Sequence, residues 1–195
     1  PANSHDEARA VAVDGSGNVV VTGRSFDVGY TKSDYYTAKY AAANGALLWE
    51  KRHNGPADGQ DQARAVAVDG SGNVVVTGRS ANGAQYSSDY YTAKYAMADG
   101  ALLWEKRYSP GNGTSSLAVD PSGDVIVFAT SYDKPPWDGG IGNYYTARYA
   151  AASVATETTP IAAFCPASFP AVRRCCGLPR ASRQATTSKE LRADS

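Results

Sequence analysis

Cysteine is missing from most of this sequence, and histidine is scarce. The three cysteines, Cys165, Cys175 and Cys176, all follow residue 150, so the part before them must fold without disulfides. Its cysteine content is therefore compatible with both oxidising and reducing compartments. The two histidines, His5 and His53, have no metal-binding spacing and are predicted to lie in loops. The sequence also contains no Ser/His/Asp arrangement and no phosphate-binding glycine loop. We therefore predict no catalytic residue, no metal site and no cofactor.

Long apolar runs and an excess of charge of one sign are also missing. No run approaches the roughly 18 apolar residues needed to span a bilayer, and no charged and then apolar signal segment opens the sequence. Residues 1–151 contain 13 Lys and Arg against 16 Asp and Glu, and the remainder contains 6 against 3. Neither part has the basic stripe with which nucleic-acid-binding proteins neutralise phosphates. We therefore expect neither a membrane span nor a nucleic-acid partner.

The dominant feature of the sequence is a repeat with a period of 55 residues. Segments 6–53 and 61–108 are identical at 37 of 48 positions, and they differ only at 7, 26–32, 42, 44 and 53. A third, incomplete copy covers about 114–151. Relative to the second copy, it has four residues fewer before its first aspartate and three more in its long loop. A period of this length is typical of propellers and solenoids.

Each copy contains four segments of strand character. In the first copy they are AVAVD, NVVVTG, YYTAKYA and LLWEKR, which are rich in β-branched, aromatic and small residues. Turn-forming residues separate them, including the hairpin signal Asn44-Gly45, which recurs as Asp99-Gly100. The run Val19–Val21 is apolar at consecutive positions, as in strands buried on both faces. These patterns predict one four-stranded antiparallel sheet per copy, with sheets stacked face to face.

We therefore predict an all-β fold, a partial β-propeller of about three four-stranded antiparallel blades. The blades cover about 6–53, 61–108 and, incompletely, 114–151, with the first strand of each blade innermost. Because closed propellers have four to eight blades, further blades or a second copy should close the ring. The repeat alignment places Pro1 inside a loop between copies, so residues similar to His-Asn-Gly are expected before it. Residues 152–195 are predicted to be an irregular or disordered tail, either native or out of frame.

The repeated pattern is similar to that of a known family. D-x-S-G-N-V-x-V-T-G followed by DYYTAKY and LLWEKR resembles the bacterial β-propeller repeat family known as SBBP. The resemblance covers about residues 1–151. It implies a bladed propeller in a secreted or cell-surface bacterial protein and brings no catalytic motif with it.

A looser likeness concerns the turn before the fourth strand. The segments NGALLW (44–49) and DGALLW (99–104) look like the Gly-x-x-x-Trp turn of quinoprotein propellers, which use pyrroloquinoline quinone. In those proteins the tryptophan lies between neighbouring blades. The likeness implies structural roles for Trp49 and Trp104, together with Gly45 and Gly100.

The candidate binding residues lie in loops at one end of the predicted sheets. Because the strands alternate in direction, the second loop of each copy and the connection between copies share that end. Nearly all differences between the first two copies fall there, and so do the length changes of the third copy. Loops on a rigid scaffold are frequent binding sites. The candidates are the aromatic and acidic residues of these loops: Tyr30, Tyr86, Tyr132, Trp137 and Asp138. Alternatively, the loops differ simply because nothing restrains them.

Aspartates open the first turn of each copy. Asp14, Ser16 and Asn18 have the 1, 3, 5 spacing of a calcium-binding loop, but Val19 stands where that loop needs glycine and Ser25 where it needs glutamate. We therefore expect Asp14 and its counterparts Asp69 and Asp120 to be structural and to accept backbone hydrogen bonds.

Three functions are compatible with the sequence. The first is a non-enzymatic scaffold for binding or protein interaction, with an unknown protein or glycan as ligand, as part of a larger secreted or surface protein. The second is a fragment of a quinoprotein dehydrogenase that uses pyrroloquinoline quinone. The third is a truncated or frameshifted repeat product without activity of its own.

Overall fold

The computed structural model describes residues 5–83, 88–109, 115–132, 142–151 and 159–160, and only the backbone of 131, 132, 142–144 and 159–160. All of these residues belong to one compact unit, Pro1–Ala163. The described residues contain strands and turns but no helix, and thus no helix able to cross a membrane.

Three antiparallel sheets of four strands form this unit. The first two copies of the repeat each form one sheet, and the third copy forms the third sheet together with residues 159–160. The strands of each sheet lie in chain order. The first sheet contains β1 (Asp6–Val13), β2 (Val19–Phe26), β3 (Ser33–Tyr40) and β4 (Leu47–His53). The second contains β5 (Gln62–Val68), β6 (Val74–Ala81), β7 (Ser88–Tyr95) and β8 (Leu102–Tyr108). The third contains β9 (Ser115–Val119), β10 (Val125–Tyr132), β11 (Gly142–Tyr149) and β12 (Thr159–Pro160). The predicted all-β class and the antiparallel sheets are thereby confirmed.

Strand β12 is a feature that the sequence did not predict. Its two residues pair with β11, Pro160 with Ala147 and Thr159 with Arg148, in the position that β4 and β8 occupy in the other sheets. Pairing with an open strand edge uses backbone groups and needs no side-chain pattern. The rest of the predicted irregular tail, 152–158 and 161–195, lies outside the described residues.

The turn before each fourth strand depends on glycine. Gly45 and Gly100 have φ angles of +70° and +68°, a region that glycine enters without the steric cost of a Cβ atom. The amide of Gly45 donates to the carbonyl of Ala41 at 2.9 Å, and that of Gly100 donates to Ala96 at 3.0 Å. The two hairpins therefore turn in the same way, and the strand after each turn contains a tryptophan, Trp49 in β4 and Trp104 in β8.

The first and second sheets pack face to face around Trp49. This indole is buried, and its Nε1 donates to the carbonyl of Met97 in the second sheet at 3.2 Å. A Cβ atom on Gly100 would lie 2.9 Å from Trp49 Cδ2, so the ring covers that turn closely. The buried residues of this interface are Val20, Tyr35 and Trp49 from the first sheet and Ala63, Val74, Val76, Tyr91, Ala93 and Tyr95 from the second.

The second and third sheets pack in the same way around Trp104. The Trp104 ring lies 5.6 Å from that of Tyr149, and the cluster also contains Val75, Val125, Val127 and Ala147. Valines 74 and 76 thus belong to one interface and valine 75 to the other, and all three are fully buried. The second sheet therefore has the predicted burial on both faces.

The first sheet is buried on one face only. Val20 faces the second sheet and is fully buried, whereas Val19 and Val21 are partly exposed. On β1, Val11 and Val13 are 65% and 61% exposed. No described residue covers this face, which is why the two-sided burial predicted for Val19–Val21 is found only at the equivalent positions 74–76.

Candidate functional site

At the end of each sheet where the copies differ in sequence, four strand ends and two kinds of loop lie together. In the first sheet, β1 begins, β2 ends, β3 begins and β4 ends on this side, and the amide of Phe26 donates to the carbonyl of His5 at 2.9 Å. The β2–β3 loop and the connection to the second sheet start here. This arrangement agrees with the antiparallel strand order predicted from the sequence.

Asp27 holds the β2–β3 loop in one conformation. Its Oδ1 accepts hydrogen bonds from the amides of Thr31 at 2.8 Å and Lys32 at 3.1 Å, and its Oδ2 accepts one from Thr31 Oγ1 at 2.8 Å. These bonds, led by that from the Lys32 amide, lower the pKa of the Asp27 carboxyl. Within the loop Tyr30 has a φ of +56°, a left-handed conformation that is uncommon for residues other than glycine.

Three aromatic rings cluster at the tip of the first sheet. The ring centroids of His5, Phe26 and Tyr30 lie 5.7 to 5.8 Å from one another. The guanidinium carbon of Arg24 lies 4.4 Å from the centroid of Phe26, within range of a cation–π interaction. Tyr30 is 60% exposed. We call these three rings the tip cluster.

The connection between the first two sheets lies against the β2–β3 loop. The Lys32 ammonium contacts the Asp58 carboxylate, and the amide of Ser33 donates to the carbonyl of Gly59 at 3.1 Å. The amide of Asp61 donates back to the Ser33 carbonyl at 2.6 Å. Two loops that are far apart in sequence therefore form one surface beside the tip cluster.

Asp61 fixes the other side of this connection. Its buried carboxylate accepts hydrogen bonds from the amides of Gly55 at 2.6 Å and Ala81 at 3.0 Å. A Cβ atom on Gly55 would lie 2.8 Å from Asp61 Oδ1, so the chain passes the carboxylate too closely for a side chain at that position. This role could not be predicted from the sequence, because it depends on a loop folding back onto a strand.

Of the five predicted binding residues, Tyr30 alone has a described side chain. Tyr86, Trp137 and Asp138 lie outside the described residues. Tyr132 is the last residue of β10, and only its backbone is described. The structure therefore places Tyr30 in the tip cluster, together with His5 and Phe26, which the sequence analysis did not select.

The opposite ends of the sheets carry the nearly identical aspartate turns. Asp14 Oδ1 accepts the amides of Ser16 and Asn18, each at 2.9 Å, and Oδ2 accepts Asn18 Nδ2 at 2.9 Å. Lys39, which the sequence analysis missed, places its Nζ 2.8 Å from Oδ2. The Lys39 hydrogen bond is the main cause that holds the pKa of Asp14 well below its usual range.

The other two copies repeat this arrangement with one change of cation. Lys94 Nζ lies 2.7 Å from Asp69 Oδ2. Burial raises the pKa of Asp69, but the hydrogen bonds from Lys94 and Asn73 outweigh that effect and lower it. In the third copy Arg148 takes the lysine's place and contacts Asp120 at 3.0 Å and Asp124 at 2.7 Å. A cationic side chain therefore occupies the position beside each aspartate turn.

His53 lies at the end of β4 and packs between sheets, so its prediction as a loop histidine is wrong. Its ring stacks on Tyr91 with a centroid distance of 3.8 Å and meets Tyr35 edge-on at 5.8 Å. In the second copy Tyr108 has this position and stacks on Tyr145 at 3.9 Å. The structural reason is that β4 continues to residue 53, where an aromatic ring of either type stacks on a tyrosine of the next sheet.

No protein-family model matches this chain, and no curated protein shows significant sequence similarity to it. Among the described residues, no group of three or more His, Cys, Asp or Glu side chains could hold a metal ion.

Proposed function

We propose that this chain is a non-enzymatic binding scaffold, in which sheets arranged as propeller blades present loops to a protein or glycan ligand. The tip cluster carries the proposal. Tyr30 exposes an aromatic ring on a loop fixed by Asp27, at the end of the sheets where the copies differ. An exposed aromatic ring held in place offers contact area at little entropic cost, as tyrosines do in many recognition surfaces.

The propeller arrangement is supported by the order of the strands between sheets. The first strands approach one another, β1 contacting β5 and β5 contacting β9, while each fourth strand lies at the far edge of its sheet. Face-to-face sheets with their first strands together have the radial order of propeller blades.

The exposed face of the first sheet also favours a propeller. Its Val11 and Val13 correspond to Val66 and Val68, which pack in the interface that contains Trp49. We infer that a further four-stranded sheet covers this face and inserts a tryptophan over Gly45, as Trp49 does over Gly100. This sheet would come from additional blades or from a second copy.

The proposed function is tested by binding to arrays of immobilised glycans and to a displayed peptide library. We expect the purified protein to bind members of one array, and Tyr30→Ala to weaken that binding at least about tenfold, as loss of a central aromatic contact does. Met97→Ala, which changes an exposed apolar residue at the opposite end of the sheets, is the control and should bind like the wild type. Equal binding by Tyr30→Ala and Met97→Ala would exclude the tip cluster as the binding surface.

The same preparation tests the quinoprotein alternative. Pyrroloquinoline quinone and calcium are added, and the absorbance of the quinone and its reduction by alcohols are followed. The scaffold proposal predicts no saturable binding of the quinone. A quinone absorbance shift that saturates, with alcohol-dependent reduction, would favour the dehydrogenase fragment instead.

A further inference from the structure

A cavity lies where the first strands of the three sheets meet, away from the tip cluster. Its volume is about 320 Å³, and it is lined by Arg9 from β1, Gln62 and Arg64 from β5, and Ser115 from β9. Strands β1 and β5 each contain an irregularity in pairing, between Ala8 and Ala10 and between Ala63 and Ala65. Arg9 and Arg64 are the extra residues, and such bulges redirect a side chain out of the regular alternation.

The positive charge around this cavity is only partly compensated. In the first copy Glu7 lies opposite Arg24 and contacts it at 2.8 Å, and it also pairs with Arg9. In the second copy the residue opposite Arg79 is Gln62, which carries no charge. Among the described residues, no carboxylate forms an ion pair with Arg64 or Arg79. Arg9 and Arg24 therefore share the carboxylate of Glu7, whereas Arg64 and Arg79 have no carboxylate partner among the described residues.

Polar atoms at this cavity lack partners in spite of their burial. Ser115 is 9% exposed, and its Oγ, like Arg64 Nε, is inaccessible to solvent and forms no hydrogen bond with any residue that the structure describes. Buried polar groups in folded proteins are almost always hydrogen-bonded. Burial, with the neighbouring charges of Arg79 and Arg9, lowers the pKa of the Arg64 guanidinium. The site is thus short of hydrogen-bond acceptors and of negative charge.

We propose that this cavity binds a small oxyanion, either phosphate or a short dicarboxylate, between Arg64, Arg9 and Ser115. Guanidinium groups donate several hydrogen bonds and accept none, and they pair with the oxygens of phosphates and carboxylates in a forked geometry. An oxyanion accepts hydrogen bonds from the terminal nitrogens of Arg64, which lines the cavity, and supplies the missing negative charge for Arg64 and for the neighbouring Arg79. Gln62 contributes an amide that donates to the same ligand.

The test is calorimetric titration of the folded protein at neutral pH and low ionic strength, with inorganic phosphate in one experiment and malonate in another. We expect saturable binding of at least one anion at concentrations up to about 10 mM. Arg64→Gln should weaken it at least about tenfold, because a charge-assisted hydrogen bond is lost. Gln62→Glu should weaken it similarly, because the new carboxylate occupies the place that Glu7 has in the first copy and competes with the ligand for the arginines.

Controls separate the site from a general effect of charge. Lys106→Gln removes one positive charge on β8, at the opposite edge of the second sheet from β5, and should leave the affinity unchanged. Because glutamate stands at the equivalent position 7, Gln62→Glu is compatible with the fold and keeps the test valid if Arg64→Gln unfolds. The absence of saturable binding of both anions would overturn the proposal, and so would Gln62→Glu binding as tightly as Lys106→Gln.

Discussion

Lys39 Nζ lies 2.8 Å from Asp14 Oδ2, and both side chains are only 2% exposed. The same lysine also donates to the carbonyl of Met97 in the second sheet at 3.2 Å. One buried cation thereby links the aspartate turn of its own sheet to the turn of the next sheet. Lys94 and Asp69 form the equivalent pair in the second copy, which makes this arrangement a repeated part of the fold.

The buried pair predicts a large effect when one partner is removed. Lys39→Met leaves the Asp14 carboxylate buried without its cation, so we expect the free energy of unfolding to fall by about 3 kcal/mol. Asp14→Asn combined with Lys39→Met should lose less than Lys39→Met alone, because no uncompensated charge remains and asparagine still accepts the turn amides. Urea unfolding measures the free energy of unfolding of the single and the double variant, with Lys106→Met as control. A cost for Lys39→Met within about 0.5 kcal/mol of that control would contradict the role given to the pair.

Replacement by phenylalanine should destabilise the protein to different extents at the two tryptophans that lie between sheets. Trp49 Nε1 donates to the carbonyl of Met97, whereas Trp104 Nε1 is buried and has no hydrogen-bond partner among the described residues. Trp49→Phe therefore loses a hydrogen bond that Trp104→Phe does not lose. We expect Trp49→Phe to be the more destabilising by about 1 kcal/mol, measured by chemical unfolding. Equal costs, or a greater cost for Trp104→Phe, would show that the Trp49 hydrogen bond does not contribute.

Gly100 and Gly45 form a matched pair for testing how closely the indole covers the turn. Both have left-handed φ angles, so alanine at either position should cost about 1 kcal/mol. A Cβ atom on Gly45 would meet nothing within 4 Å, whereas one on Gly100 would lie 2.9 Å from Trp49. Gly100→Ala should therefore cost about 1 kcal/mol or more beyond Gly45→Ala. Thermal or urea unfolding of the two variants measures both costs. Indistinguishable costs would mean that the Trp49 ring lies farther from Gly100 than the structure shows.

His53 makes the first interface sensitive to acid. Burial is the main cause that lowers the His53 pKa below its ordinary value of 6.5, and the nearby Arg107 lowers it further while Asp61 opposes this. The folded state then binds fewer protons than the unfolded state, so stability is full above pH 6.5 and falls as the pH drops towards the lower folded-state pKa. His53→Tyr, which copies the second interface, should reduce the loss of unfolding free energy between about pH 7.5 and 5.5.

The second interface supplies the reciprocal experiment. Tyr108→His places an ionisable ring at the position equivalent to His53 and should add a loss of stability in the same pH window. If His53→Tyr retained the full acid sensitivity of the wild type, the ionisation of His53 would not be its source.

The sequence was sufficient to predict the sheets because their signals are local. The alternation of strand segments with turns such as Asn44-Gly45 predicted four antiparallel strands per copy, and consecutive valines predicted the double burial seen at 74–76. Burial on both sides of a strand requires a neighbour on each side, which the sequence of one strand does not contain. Val19 and Val21 are therefore partly exposed, although the sequence of their strand is the same as that around Val74 and Val76.

Sites that depend on pairing between distant segments escaped the sequence analysis. Lys39 appears in a strand as an ordinary charged residue, and its contact with Asp14 follows from strand register. Arg9 and Arg64 likewise look like regular strand residues, and only the bulges direct them into one cavity. The tip cluster was predicted only in part. Tyr30 was selected because it is an aromatic residue in a variable loop. The contact with His5 could not be predicted, because it depends on the start of β1 lying beside the end of β2.

The packing of Trp49 on the turn of the second sheet is the contact on which both the fold and the proposed scaffold depend. Nuclear Overhauser spectroscopy on labelled protein measures it directly, with the indole resonance assigned from Trp49→Phe. The structure predicts cross-peaks from the Trp49 ring to the Gly100 α-protons and to Tyr95, and slow exchange of an indole proton bound to the Met97 carbonyl. An indole that exchanges at the rate of free tryptophan, without contacts to Gly100 or Tyr95, would contradict the account.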